Sequence, residues 1–181
     1  MKYCAFLRGV NVKGTNMKMA DVCTVFKNAG MQNVSSVLAS GNILFESGKN
    51  TGELKKILEE EMSEAFGYEA FLFIKNDSEI ATILENSPFE KEENFHNYVF
   101  VSSPETEKVL MEEFEKSEKT EDEKAAVIQD IFYWKVPKGN TLDSSFGKIL
   151  GRKTLKDKFT SRNINTFEKI VNKLINVRFQ S

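Results

Sequence analysis

The chain has 181 residues, 40% of them apolar and 29% charged, with a net charge of −2. That is the make-up of an ordinary soluble globular protein, long enough for one domain or two small halves sharing a core. No apolar run approaches the ~20 residues of a membrane helix, and Arg8 interrupts the N-terminal apolar stretch too early for a signal peptide.

Residues 2–7 form the first predicted strand. It runs into Arg8-Gly9-Val10-Asn11-Val12-Lys13-Gly14-Thr15-Asn16, a loop with two glycines and two asparagines flanked by cations. Such residues suit positive φ or close backbone approach. Apolar positions 19, 22, 23, 26 and 29 then predict a helix ending at Gly30. Val34–Leu38 and Ile43–Phe45 predict two strands, with Ser40-Gly41-Asn42 as the hairpin tip. Asn50 with Glu53 opens a second helix that Gly67 stops, and Ala70–Ile74 is a fourth strand. The order β-α-β-β-α-β is that of the split βαβ, or ferredoxin-like, domain.

Asp77–Leu84 reads as a short helix, and 86–95 as an acidic connector containing Pro88. Tyr98–Val101 is a strand, and Ser103-Pro104-Glu105 starts a helix with proline at its first position. Glu115–Lys124 is nearly all charged and reads as a solvated helix end and loop. Ala125–Ile128 and Phe132–Val136 form a second predicted hairpin. Residues 144–150 and 155–159 read as short helices, and a last helix runs from about Arg162 to Leu174. This half reads β-α-β-β-α, an incomplete copy of the first. The expected fold class is therefore α+β: two ferredoxin-like, mainly antiparallel halves packed together, about 1–86 and 96–181.

Charge is unevenly spread. Residues 1–45 hold five cations and one acid, and 148–181 hold nine cations and two acids. Residues 46–147 hold 11 cations and 24 acids. The ends carry +4 and +7 and the middle −13. Basic ends that met in space would form a positive patch; lysines solvating helix faces are the plainer account.

A Gly/Asn loop between a strand and a helix start, flanked by cations, is a place for an anion. In the split βαβ topology the first two strands run the same way and the third pairs beside the first. The loop after strand one and the tip 40–42 therefore meet at one end of the sheet. The candidate ligand-binding residues are Arg8, Gly9, Asn11, Lys13, Gly14, Asn16, Ser40, Gly41 and Asn42, joined by Arg162 and Asn163 at the predicted start of the last helix. Residues 9–14 have P-loop spacing, but Thr15 stands where the lysine belongs, so a nucleoside triphosphatase is not indicated. Arg8 could grip a phosphate bidentately or pair with an acid such as Glu46.

Catalytic machinery is thin. His96, the sole histidine, falls in the connector and reads as a surface or hinge residue. No histidine–cysteine cluster has metal-ligand spacing, no metal or cofactor is indicated, and whether the protein is an enzyme stays open. Cys4 and Cys23 read as buried free thiols. Nucleic-acid binding is the alternative, but Ile43-Leu44-Phe45 lacks the stacking aromatics of an RNA-recognition sheet. Strand one is apolar on both faces, so both faces should be covered, by the second half or by a partner subunit. The third alternative is a structural or interaction protein whose motifs serve only the fold. A phosphate-bearing small molecule or nucleic acid is the expected partner class, with no membrane.

Three ordered stretches carry a resemblance to a known family. Arg8–Asn16, Ser40-Gly41-Asn42-Ile43 and Thr160-Ser161-Arg162-Asn163-Ile164-Asn165-Thr166 resemble the motifs of bacterial domain-of-unknown-function family sixteen ninety-seven. Lys13 stands where that family commonly has glycine, Ala39 where glutamine often precedes the serine, and Ile164 where tryptophan is usual. The resemblance implies an α/β fold and a cytoplasmic bacterial origin, and no particular activity.

Overall fold

The computed structural model describes residues 1–10 and 17–178, without the side chains of 176–178. The elements run β1 (Lys2–Leu7), α1 (Met19–Asn28), β2 (Gln32–Ser36), β3 (Asn42–Glu46), α2 (Thr51–Phe66), β4 (Leu72–Asn76) and α3 (Asp77–Glu85). They continue β5 (Phe95–Ser102), α4 (Thr106–Lys116), β6 (Lys124–Ile128), β7 (Ile131–Pro137), α5 (Ser145–Leu150), a short 3-10 turn at Lys153–Leu155, β8 (Phe159–Asn163) and α6 (Ile164–Arg178). The fold is α+β, with two four-stranded antiparallel sheets ordered β2-β3-β1-β4 and β6-β7-β5-β8. Both have the split βαβ order. The chain divides into one compact unit of Met1–Thr82 with the helix from Asn165 onward, and a second of Ile83–Ile164.

In the first unit β1 is the central strand. It pairs with β3 from Lys2↔Glu46 to Phe6↔Asn42, and with β4 from Tyr3↔Asn76 to Leu7↔Leu72. Tyr3, Ala5 and Leu7 point to one face, where Val22 and Phe26 of α1 and Leu54, Leu58 and Met62 of α2 cover them. Asn50 caps α2 in a full capping box with Glu53, and Gly67 ends it in the left-handed conformation. Phe6 points to the opposite face and stacks on Phe167 of α6, their centroids 5.3 Å apart. Lys173 of α6 also donates to Ser36 O at 2.9 Å. The sequence-based halves, 1–86 and 96–181, thus differ from the observed units in this last helix. Its apolar stripe of Phe167, Ile170 and Leu174 is buried. The second face of β1 is covered by the chain's own C-terminal helix.

In the second unit β5 pairs with β7 on one side and β8 on the other. Phe100, Phe132, Trp134 and Phe146 form its core with Leu110 and Phe114 of α4. Segment 155–159, expected to be helical, is instead the end of the 3-10 turn Lys153–Leu155, a non-helical turn at 156–158 and the first residue of β8, a strand missed in the sequence. Phe159-Thr160-Ser161-Arg162-Asn163 is too short to show a period, yet pairing with β5 from Tyr98↔Asn163 to Ser102↔Phe159 fixes it as extended. The second unit is therefore a complete β-α-β-β-α-β copy. His96 lies on β5, not in the connector. Among the described residues no helix is long and apolar enough to cross a membrane.

Phe167 is fully buried, so Phe167→Ala should cost about 3–5 kcal/mol. Urea unfolding followed by far-UV circular dichroism measures this; a loss under 1 kcal/mol would mean α6 is not needed to close the face of β1.

Candidate functional site

The split βαβ order brings three backbone segments to the C-terminal end of β1. The Leu7 N–H donates to Gly41 O at 2.8 Å, and the Arg8 N–H donates to Phe71 O at 2.9 Å. Gly9 and Gly41 both take φ of 79°, which favours glycine. A Cβ on Gly41 would lie 3.0 Å from Leu7 Cβ and 3.0 Å from Val10 Cγ1. The loop start and the hairpin tip are thus in van der Waals contact. Asn42 is fully buried and donates through Nδ2 to Val37 O at 2.8 Å and Ser40 Oγ at 2.9 Å. Its amide knits the tip together, a structural use of a residue expected to face a ligand.

Helix α1 runs back along the sheet, so its N-terminus lies at this same end. Lys18 is its N-cap and makes no side-chain capping bond; Asp21 is the sole acid in the first turn. This uncapped start was legible only as a lysine before an apolar pattern. The segment before β4 adds Glu69 to the same end, two residues from the Phe71 carbonyl that takes the Arg8 N–H. Local sequence around Arg8 contains no acid; Glu69 reaches this end of the sheet only through the strand order. Glu46, considered as a mate for Arg8, sits opposite Lys2. Six residues of strand separate the two positions, about 20 Å, so that pair does not form.

Asn11, Lys13, Gly14 and Asn16 lie outside the described residues. Arg162 and Asn163 end strand β8, and α6 begins at the next residue, Ile164, so they stand directly before a helix start, two residues earlier than the helix itself. The Arg162 guanidinium is buried and donates through Nη1 to Thr160 Oγ1 at 2.7 Å and to Ser161 O at 2.8 Å. Asn163 Nδ2 faces His96 Nδ1 at 3.2 Å.

Buried polar groups elsewhere have structural partners. Glu123, expected in a solvated loop, is buried, and its Oε1 accepts from Trp134 Nε1 at 3.0 Å. Burial raises its carboxyl pKa, against the lowering effects of the Trp134 bond, Lys119 and the Thr120 backbone. Tyr133 is pushed up to about 12 by burial and donates to Ile83 O at 2.8 Å, so it stays neutral. Cys4 is buried and Cys23 half-buried, and neither is in a disulfide. Among the described residues no group of three histidines, cysteines or carboxylates could hold a metal ion.

A family profile described as "Protein of unknown function (DUF1697)" matches residues 1–133. That span includes the first two resembling motifs and ends before the third. No curated protein matches the chain. The solved structure of conserved bacterial protein SP0830 from Streptococcus pneumoniae is similar over 94% of this chain and 97% of its own. The TM-score is 0.75 and the identity 24%, a likeness of fold.

Two outcomes follow from this geometry. Gly41→Ala combines positive φ with a tight contact against Leu7 and Val10, and should cost about 1–3 kcal/mol in urea unfolding. A neutral result would show that the tip does not pack on the loop. Glu123 in the folded state holds its proton more tightly than in the unfolded chain, so the unfolded chain ionises first. Stability should therefore fall as pH rises through the range above the ordinary carboxylate value. Glu123→Gln should flatten that fall; unchanged pH curves would count against the buried carboxyl as its source.

Proposed function

The chain belongs to the DUF1697 family, and from that premise we propose that it binds an anion, or the phosphate of a nucleotide, at the C-terminal end of β1. The observation that carries this reading is the meeting of Arg8–Val10, Gly41 and the uncapped start of α1 at one sheet end. Backbone N–H groups at a helix start favour negative charge. Glycine at position 9 lets a ligand approach the main chain, while Gly41 packs against Leu7 and Val10. Arg8 is half-buried, and its guanidinium could make a charge-assisted, bidentate bond to a phosphate. Asn11, Lys13, Gly14 and Asn16 belong to the proposed site by sequence. Ser40 and Gly41 shape its wall, while Asn42 holds the tip from behind. Arg162 and Asn163 are engaged within their own unit and are left out of the proposed contact set.

Recognition of a phosphate-bearing small molecule by this loop needs no catalytic residue, and binding is the activity proposed. Glu69, placed at the same sheet end by the strand order, is a negative charge that an anion bound there would meet.

The test is a melting series with inorganic phosphate, nucleoside mono- and diphosphates, and short oligonucleotides. A ligand at a hundred times its Kd should add about 2.7 kcal/mol, about 5–10 °C in Tm for a chain of this size. Arg8→Ala should abolish most of that shift while leaving the unliganded Tm nearly unchanged. Glu69→Gln should enlarge it, since one opposing charge is gone. Absence of any shift in wild type, or an equal shift in Arg8→Ala, would defeat the reading. A shift confined to oligonucleotides would favour the nucleic-acid alternative.

A further inference from the structure

Arg8 gives its main-chain N–H to Phe71 O at 2.9 Å. The next residue, Leu72, opens β4 opposite Leu7. Residues of an antiparallel ladder alternate between bonding to the partner strand and turning their main-chain groups away from it. Because Arg8 bonds to Phe71, Leu72 turns its N–H and C=O outward, and β4 is an edge strand of its sheet. Outward groups on an edge are ordinarily left to water. Those of Leu72 are not.

One ion pair on α2 takes both. Leu72 N–H donates to Glu59 Oε1 at 3.0 Å, and Leu72 O accepts from Lys55 Nζ at 2.7 Å. Lys55 and Glu59 stand one helical turn apart, both half-buried, and are salt-bridged to each other. The Lys55 ammonium also lies 4.9 Å from the centroid of the Phe73 ring. One turn further along α2, Ser63 Oγ accepts from the Ala70 N–H at 3.0 Å and donates to Glu59 O at 2.6 Å. Positions 55, 59 and 63 thus form a polar stripe that grips Ala70 and Leu72, the two neighbours of Phe71. The stripe is not what attaches the helix, because Leu54, Leu58 and Met62 already bury α2 against the sheet. It adds a fixed place for the open-edge start of β4, where no further strand supplies one.

We infer that Glu59, working with Lys55 and Ser63, is a positioning residue for Arg8. The stripe on α2 fixes residues 70–72, and with them the Phe71 carbonyl that holds the Arg8 main chain. Its part in binding rests on the anion-binding reading above; its link to the Arg8 main chain does not. Arg8 is the first residue beyond β1, so its N–H bond to Phe71 is a tie that the strand itself does not supply. Two-point contact between a guanidinium and a phosphate needs the arginine held by a supporting layer. A carboxylate accepting from the Leu72 N–H makes a charge-assisted bond, stronger than the one water would offer in its place. Glu59 touches neither Arg8 nor the site, and acts through β4.

The test compares Glu59→Ala with Glu59→Gln in the full chain. Both variants lose the charge, but glutamine keeps an oxygen that can accept from the Leu72 N–H. Amide hydrogen exchange read by NMR should show Arg8 exchanging about tenfold or more faster in Glu59→Ala than in wild type, the size expected for a lost bond to a charged group. The Cys4 amide, further back on the same strand, should be unchanged, which separates a local effect from general loosening. Glu59→Gln should recover most of the protection at Arg8. Inorganic phosphate, titrated in the same spectra, should bind severalfold more weakly to Glu59→Ala than to Glu59→Gln. If Glu59→Ala does not fold, Ser63→Ala, which releases the Ala70 N–H, decides by the same comparison of Arg8 with Cys4. Unchanged exchange at Arg8, equal acceleration of Arg8 and Cys4, or a glutamine variant no better protected than alanine would each overturn the inference. Phosphate that binds wild type and both Glu59 variants alike would remove the positioning role and leave the anion reading standing. Phosphate that binds none of them would remove both, whatever the exchange rates show.

Discussion

A strand that is apolar on both faces has to be covered on both, and β1 sets that demand here. Tyr3 to Leu7 are all less than 5% exposed. Their alternation sends Tyr3, Ala5 and Leu7 toward α1 and α2, and Phe6 toward Phe167 of α6. Neither face alone would hide the strand from water, and unpaired apolar area of this kind costs about 25 cal/mol per Å². The C-terminal helix is thereby recruited across the whole length of the chain. Its return fixes the composition of the first unit as residues from both ends.

Most of the first unit was legible because its signals are local. The capping box at Asn50–Glu53, glycine stops at Gly30 and Gly67, and the tip at Ser40–Asn42 each act over a few residues. The strand order followed from the right-handed crossover and needed no tertiary information. What failed was β8. Phe159–Asn163 carries one apolar residue in five, and its extended form comes from pairing with β5, which no local pattern announces. Mistaking it for the edge of a helix also misplaced Arg162, whose guanidinium is used by Thr160 and Ser161. The same limit hid Glu123. A charged run reads as solvent-facing until a tryptophan N–H eleven residues further on, brought back by the β6–β7 hairpin, claims one of its carboxylates.

The candidate site was legible only in outline. Glycines and asparagines mark a loop, but they do not distinguish residues that meet a ligand from those that support the loop. Asn42 shows the difference: its amide is wholly buried and spends both donors on Val37 and Ser40. Glu69 shows the converse. Sequence distance from Arg8 concealed an acid that β4 returns to the same sheet end.

The two units offer an internal comparison, because they share one strand order. After β1 the chain takes residues 8–18 to reach α1; after β5 it takes only 103–105 to reach α4. The hairpin tip between β2 and β3 spans 37–41, whereas the β6–β7 turn is the pair 129–130. The topology is therefore satisfied by short connections, and nothing in the split βαβ order demands the longer ones. Long loops are entropically tolerable but gain no packing by themselves. Both extended connections of the first unit fall at the same end of its sheet, and both contain a glycine at positive φ. In the second unit the longer connections fall elsewhere, at 117–123, 138–144 and 151–158, so the two copies of one strand order are elaborated at different places.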